Sequence, residues 1–370
     1  MHIGLVIYGS LDTLSGGYLY DRKLVQHLRE QGDTVTIVSQ PWVNYGRHLL
    51  QNFSRGLRTE LATQKFDVLL QDELNHPSLF WLNRSLRGRY PIISIVHHLR
   101  ISEARQNWQN MLYRQVERHY LNSVSGFVFN SQTTRNTVFD LVGPAKPHIV
   151  ALPAGDRFTT IAPRTPMSPD TSSTNPPLRL LFVGNLIPRK GLHIVLDALH
   201  LCRGQWQLDI IGSDSVDAAY AQRLRTQADQ LGLRGRVQWL GRVSDDGLAE
   251  AFSQHDILIG PSSYEGYGIS YLEAMGFGLP VIASTRGAAC EIVTDGVDGF
   301  LVDPTDAPTL CARIEGLIQD RIRLSEMSAA ARQRYLRHPT WGASMATIRT
   351  FLKSLIHPPT TPASSSAAAA

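Results

Sequence analysis

The chain has 370 residues, 43% of them hydrophobic and 18% charged, with a formal net charge of +4. That length suits two domains of roughly 100 to 200 residues, each able to bury its own core, and the composition excludes disordered and fibrous classes. Cys202, Cys290 and Cys311 are odd in number and far apart with no CxxC pair, which argues against a disulfide framework or zinc knuckle and for a reducing compartment.

The basic excess lies in the first half: residues 1 to 156 balance at +4 and residues 157 to 340 at −2. A charge this small does not by itself point to nucleic acid, and no basic stripe with a reading motif accompanies it. No leader is expected at MHIGLVIYG, and no apolar run approaches the roughly 20 residues that span a bilayer. The location expected is the cytoplasm, with contact at the inner face of a membrane left open.

In chain order, HIGLVIY is followed by a helical stretch from Tyr18 to Gln31, a stop at Gly32 and a second run, TVTIVS. This predicts a β-α-β opening. The runs FDVLLQ, PIISIVHH, GFVFNS and HIVALPAG continue the pattern without polar alternation, as expected of parallel strands covered on both faces. A first doubly wound domain is expected over residues 1–156. Residues 157–177 are rich in Pro, Ser and Thr and predict a linker. The alternation resumes at LRLLFVGN and runs through WQLDIIG, VQWLG, DILIGPS and LPVIAS, predicting a second doubly wound domain over 178–340. Residues 341–357 form an amphipathic helix with Met345, Ile348, Leu352, Leu355 and Ile356 on one face, and 358–370 a low-complexity tail expected to be disordered. Two such domains imply a cleft, with ligands beyond the carboxyl ends of the strands.

Two loops carry the chemistry. In FVGNLIPRKGLHIVLDAL, Gly184 ends a strand, and Arg189 and Lys190 stand just before a helix. Cations at a helix N-terminus oppose the macrodipole by about 0.3 to 1 kcal/mol each, which makes sense if a phosphate occupies the loop. The competing reading is a solvated surface pair. In PSSYEGYGISYLEAMGFGLPVIAS, Glu265 and Glu273 flank Gly266 and Gly268 at a strand-loop-helix junction, where carboxylates can be held to accept hydrogen bonds from sugar hydroxyls. Here too a bland alternative exists, because the dipole favours acids in a first turn.

PRKG followed by EGYGISYLE, with PSSYE and EAMGFGLPVIAS around it, closely resembles the retaining nucleotide-sugar glycosyltransferases of family four. These adopt the GT-B fold, two doubly wound Rossmann-like α/β domains facing across a cleft. The resemblance extends over GGYLYDRKLVQHLREQGDTVTIVS, VHH, NSQTTR, LPAGDRF, VQWLGRVSDDGLAEAFSQHDILIGPS and DGVDGFLVDP, and omits the linker and tail. It implies that Arg189 and Lys190 bind the donor diphosphate, that Glu265 contacts donor-sugar hydroxyls and that Glu273 holds the ribose hydroxyls. By the same resemblance Gly266, Tyr267, Gly268 and Ile269 bring backbone amides near sugar and phosphates, and Gly16 and Gly17 approach the diphosphate from the other domain. The resemblance further implies that Gly184, Gly212, Gly241, Arg242 and Val243 line the rest of the donor pocket, the last three with Gly212 at the base and ribose. His97 matches a histidine facing the donor sugar, so His97, Arg189, Lys190 and Glu265 are the catalytic candidates. His98 departs from the His-Asp common among relatives, and neighbouring side chains in a strand point to opposite faces.

With no Asp-x-Asp and no metal-ligand spacing in the sequence, neither metal nor cofactor is expected. The donor expected from the resemblance is a UDP-sugar, then a GDP-sugar, with a glycan, lipid-linked sugar or small molecule as acceptor. The acceptor side is expected in the first domain, where seven arginines between Arg84 and Arg118 mix with Trp108 and Tyr113, and Trp42, Tyr45, Arg47, Phe53, Arg55 and Arg58 form a second basic and aromatic stretch. These suit an anionic membrane or a phosphorylated lipid carrier as well as they suit a solvated helix face. A nicotinamide-dependent oxidoreductase is disfavoured, because GSLDTLSGG lacks GxGxxG. A catalytically inactive sugar-binding paralogue remains the alternative to an enzyme.

Overall fold

The computed structural model describes residues 1–103, 107–158 and 176–356. Most of the expected linker and all of the expected tail therefore lie outside the described residues. Two six-stranded sheets carry the chain. The first is built from β1 (His2–Tyr8), β2 (Thr34–Gln40), β3 (Val68–Asp72), β4 (Ile92–Val96), β5 (Gly126–Phe129) and β6 (His148–Val150) in the order β2-β1-β3-β4-β5-β6. The second holds β7 (Leu178–Val183), β8 (Trp206–Ile211), β9 (Val237–Gly241), β10 (Ile257–Gly260), β11 (Val281–Ser284) and β12 (Gly299–Val302) in the order β12-β11-β10-β7-β8-β9. Every neighbouring pair is parallel. The central runs VLLQD, IISIV, ILIG and VIAS are buried at every position, which is why they read as unbroken apolar segments. In each sheet the order reverses beside the first strand, and loops from the two domains approach each other, Gly16 beside Ile269 and Gly266 beside the His97 carbonyl.

The first helix is Gly16–Glu30, two residues earlier than the apolar pattern predicts. Ser15 accepts from the Tyr18 amide as N-cap, so Gly16 and Gly17 form the opening turn instead of a loop ahead of it. The helix stops where expected, with Gly32 at φ +79°, a conformation costly for other residues.

The helix Trp341–Ile356 packs on the first sheet, not the second. Trp341, Met345, Ile348 and Leu352 enter one core with Ile3, Leu5, Ile7, Tyr20 and Leu24, while Leu355 and Ile356 are only partly covered. Burying each large apolar side chain contributes about 1.5 to 3 kcal/mol. A polar tether fixes the position: Arg349 Nε donates to Asp33 Oδ2 (2.6 Å), and the N-terminal ammonium donates to Asp33 Oδ1 (2.9 Å). At the helix start, the Trp341 amide donates to Asp156 Oδ1 (2.9 Å), and His338 Nε2 lies 2.8 Å from the Pro153 carbonyl.

The domains also meet directly. Glu291 of the second domain reaches the N-terminus of the helix Gln132–Val142, accepting from the amides of Gln132 (3.0 Å) and Thr133 (2.7 Å) and from Thr133 Oγ1 (2.7 Å). This is a favourable place for a carboxylate, since the helix leaves its first amides unpaired there.

Candidate functional site

The loop after β7 places the two cations. Pro188–Lys190 forms a 3-10 turn, Gly191 at φ +73° redirects the chain, and the helix Leu192–Leu201 follows at once. No side chain other than hydrogen fits at Gly191, whose Cβ would run into the Pro261 carbonyl. Gly212 is pressed against Gly184 in the same way, so the carboxyl ends of β7 and β8 lie backbone to backbone. Arg189 Nη1 donates to the Tyr264 carbonyl (2.7 Å), and Lys190 Nζ to Glu265 Oε2 (2.7 Å), which also accepts from Ser262 Oγ (3.2 Å). Burial pushes the Glu265 carboxyl up, but Lys190 and Arg189 outweigh it and hold it below the ordinary range. Residues 75 apart in sequence thus form one charged cluster before a helix N-terminus.

The following turn crosses to the other domain. A Cβ on Gly266 would lie 2.8 Å from the His97 carbonyl oxygen, and one on Gly16 would lie 3.5 Å from Ile269 Cδ1. Gly268, at φ +107°, opens the helix Ile269–Gly276. The Tyr267 side chain turns into the core, its hydroxyl 3.3 Å from His338 Nε2, so any ligand contact by Tyr267 falls to its backbone. Glu273 is buried and committed: Arg157 donates to it from Nε (2.5 Å) and Nη2 (3.2 Å), and the same guanidinium reaches Asp245 (2.8 Å). Burial pushes the Glu273 carboxyl up to about 7, against the pull of Arg157. Ribose hydroxyls, the partners the resemblance implies, would have to share this carboxylate with Arg157. Gly241, Arg242 and Val243 sit at the open end of β9, with the Gly241 carbonyl accepting from the Gly212 amide (2.8 Å).

On the first domain, His97 follows β4 and is almost fully buried. Its ring lies under the opening turn of the first helix, 3.1 Å from where a Gly17 Cβ would be, and its Nε2 is 3.4 Å from Asp21 Oδ1. Its amide donates to Glu73 Oε2 (3.0 Å). Burial lowers the imidazole's affinity for a proton, yet the Glu73 and Asp21 carboxylates more than offset this, and the net shift is upward. His98 points differently, with Nε2 3.1 Å from Glu103 Oε1 and its ring toward Tyr264 of the second domain.

The structure adds residues that the sequence pattern does not single out. Asp21, Asp72 and His97 bring one ligand atom each within 4.8 Å of one another, although no metal-ligand spacing is visible along the chain. Both Asp21 oxygens and Asp72 Oδ2 lack a hydrogen-bond donor, and burial together with Glu73 and Asp21 holds the Asp72 carboxyl well above the usual range. Two carboxylates and an imidazole are a donor set that suits a shared proton or a divalent cation. Asp21 had a readable signal, an acid among the apolar positions Tyr18, Tyr20, Leu24, Val25 and Leu28 of an amphipathic helix. Arg157 had a weaker one, its place in the LPAGDRF segment of the resemblance, although it opens the segment read as linker.

Comparison with known proteins agrees with this layout. The description "Glycosyltransferase Family 4" matches residues 19–155, around the first sheet, and "Glycosyl transferases group 1" matches residues 165–334, around the second. The phosphatidyl-myo-inositol mannosyltransferase of Mycobacterium leprae is 27% identical over 92% of this chain and 93% of its own. A GDP-mannose-dependent monoacylated alpha-(1-6)-phosphatidylinositol monomannoside mannosyltransferase of Corynebacterium glutamicum is 32% identical over 49% of this chain and 50% of its own. Among solved structures, the sucrose-phosphate synthase of Thermosynechococcus elongatus superposes with a TM-score of 0.81 at 20% identity, covering 96% of this chain and 98% of that one. Matched across both sheets, the chain belongs to the family-four glycosyltransferases and has their GT-B fold.

Proposed function

We propose that this glycosyltransferase moves a hexosyl group from a nucleoside diphosphate sugar to a hydroxyl of a phosphorylated glycolipid acceptor, with retention of anomeric configuration. The observation that carries this reading is the Arg189, Lys190 and Glu265 cluster, set before a helix N-terminus and opposite His97 and Gly17. A diphosphate there meets two cations and free helix amides; a sugar beyond it meets Glu265 and His97. As the bond from the anomeric carbon to phosphate oxygen breaks, negative charge grows on the phosphate where Arg189 and Lys190 stand. The acceptor oxygen bonds to the same face of that carbon, and its proton passes to the departing phosphate. The reading asks for no metal ion, because the protein's own cations serve the leaving group.

The relatives' specificities bear on donor and acceptor. Two are mannosyltransferases of inositol lipids and one is GDP-mannose-dependent, which moves GDP-mannose ahead of the UDP-sugar expected from the sequence. The first domain supports a lipid acceptor. Trp42, Leu50, Phe53, Trp81, Trp108 and Met111 are all more than half exposed, and Arg84 stacks on Trp81 at 5.7 Å. Apolar side chains ringed by arginines suit peripheral contact with an anionic bilayer. No described helix is long and apolar enough to cross one.

The test is a thermal-shift and turnover series with GDP, UDP, GDP-mannose and UDP-glucose, run with and without acceptor. Stabilisation by one nucleotide, with donor hydrolysis that needs Arg189 and Lys190, is expected. Silence toward every nucleotide would overturn the reading, and nucleotide binding without hydrolysis or transfer would favour the inactive paralogue. Sedimentation with phosphatidylinositol but not phosphatidylcholine vesicles is expected; sedimentation with neither removes the membrane contact.

A further inference from the structure

Arg100 lies two residues beyond His98, in the short turn Arg100–Ser102 that leaves the carboxyl end of β4. Its guanidinium carbon sits 5.2 Å from the centre of the Tyr45 ring and 4.8 Å from that of Tyr113, and the two rings meet edge to face at 4.8 Å. Rings packed against a guanidinium contribute cation–π attraction and accept no conventional hydrogen bond from its N–H groups. Here they are unused: Nε is buried without a hydrogen-bond partner, and the group forms no ion pair among the described residues. The nearby acid does not neutralise it. Glu117 accepts from the backbone amides of Arg100 (2.6 Å) and Ile101 (3.4 Å), and burial pushes its carboxyl up to about 8. The other close acid, Glu103, faces His98. A part-buried cation packed against two rings, with Nε buried and without an acceptor, is an incomplete arrangement, since desolvating it is costly unless an anion completes it.

We infer that Arg100, packed against Tyr45 and Tyr113, is the subsite for the phosphate of the acceptor. The planar fork presents paired N–H donors with the geometry of a phosphate's oxygens, which a lysine lacks. Arg100 belongs to the first domain, whereas Arg189 and Lys190, which face the donor diphosphate in the proposed reaction, belong to the second. The ring pair also adjoins the exposed apolar surface, since Trp42 precedes Tyr45 and Met111 and Leu112 precede Tyr113 along the chain. A phosphate held here sets a polyol headgroup toward the cleft and its lipid toward that surface. The inference rests on the proposed function only for the identity of the acceptor.

The test is calorimetric titration of the full chain with myo-inositol 1-phosphate, myo-inositol and inorganic phosphate, with nucleotide binding measured in parallel. Wild type should bind the phosphorylated polyol at least about tenfold more tightly than either the polyol or phosphate alone. Arg100→Gln should erase that preference with nucleotide affinity unchanged, Arg100→Lys should restore part of it, and retention on phosphatidylinositol vesicles should fall in the same order. No preference in wild type, or a preference that survives Arg100→Gln, would overturn the inference. So would inorganic phosphate competing as well as the phosphorylated polyol, which marks an anion site unrelated to the acceptor. Wild type that binds nucleotide but shows no preference refutes this subsite alone; wild type that binds no nucleotide refutes the proposed function instead.

Discussion

The substitution Lys190→Met removes the cation from a pair whose Nζ and Oε2 lie 2.7 Å apart, with side chains 19% and 13% exposed. The gross attraction at that distance is about 6 kcal/mol for an effective dielectric near 20. Most of it is offset by the cost of holding both charges away from water. Removing one partner of a fully buried pair costs about 3 to 5 kcal/mol. Ser262 and the field of Arg189 still support Glu265, and both ends are partly wet, so about 1 to 3 kcal/mol is expected here. For a chain of 370 residues that is a fall in Tm of about 1 to 4 °C. The loss should depend on pH. Because the cations depress the Glu265 carboxyl, their contribution is full above the ordinary carboxylate range and lost as pH falls through the depressed value, so the gap to wild type narrows in acid.

A second substitution separates stability from chemistry. Glu265→Gln added to Lys190→Met leaves no carboxylate without its lysine, and most of the lost Tm should return. Activity should not: removing a preorganised charge from the developing anion costs about a hundred- to a thousandfold in kcat. The assay is scanning calorimetry beside transfer kinetics on the single and double variants. If Lys190→Met keeps wild-type kcat, or the double variant regains activity along with stability, Lys190 serves the fold alone and the diphosphate assignment fails.

Three further outcomes are expected. Asp21→Asn should lower the His97 titration midpoint by NMR; since a raised imidazole stabilises fully below its unfolded value and fades as pH rises through its folded one, the stability lost should be largest at acid pH and vanish at alkaline pH. An unchanged midpoint would break that pairing. Gly266→Ala places a methyl 2.8 Å from the His97 carbonyl, which should hold the domains apart and reduce turnover more than it reduces stability; equal kcat would show that the crossing is loose. Ile348→Ala, fully buried where the last helix meets the first core, should cost about 2 to 5 kcal/mol in urea unfolding. A loss below about 0.5 kcal/mol would mean that the helix does not stay docked.

Eleven of the twelve strands were legible because parallel strands covered on both faces are written as short apolar runs; the edge strand β12, only four residues long, was not singled out. The diphosphate loop was legible for an electrostatic reason, two cations where an empty helix end disfavours them. What escaped was long-range pairing. Asp21, Asp72 and His97 come from the starts or ends of three different elements, and nothing in their local sequence says that the fold closes them into one buried group. Arg157 stands at the edge of a Pro, Ser and Thr tract and so reads as linker, yet it takes both oxygens of Glu273. Tyr267 lies inside a motif whose backbone matters, which hides that its side chain belongs to the core. The start of the first helix was misplaced because its cap is a serine ahead of two glycines, residues that propensity alone assigns to a loop.

Charge pairing in the cleft gives these residues a common logic. Lys190 leans on Glu265 and Arg157 on Glu273, so two cations already have carboxylate partners, and the His97 imidazole lies beside Asp21. Arg189 and Arg100 are different: among the described residues the first donates to a backbone carbonyl and the second packs against two aromatic rings, with no carboxylate hydrogen-bonded to either. In the proposed reaction the donor diphosphate goes to Arg189 and draws Lys190 from Glu265, which is thereby freed to accept from the sugar hydroxyls. The exchange replaces one desolvated ion pair by another, so its cost is far below that of burying a lone anion. Arg100 has no carboxylate to release, and a phosphate arriving there adds a partner without breaking one. The donor site is therefore poised for exchange and the acceptor site for simple occupation, which predicts a weaker salt dependence for nucleotide binding than for the phosphorylated acceptor.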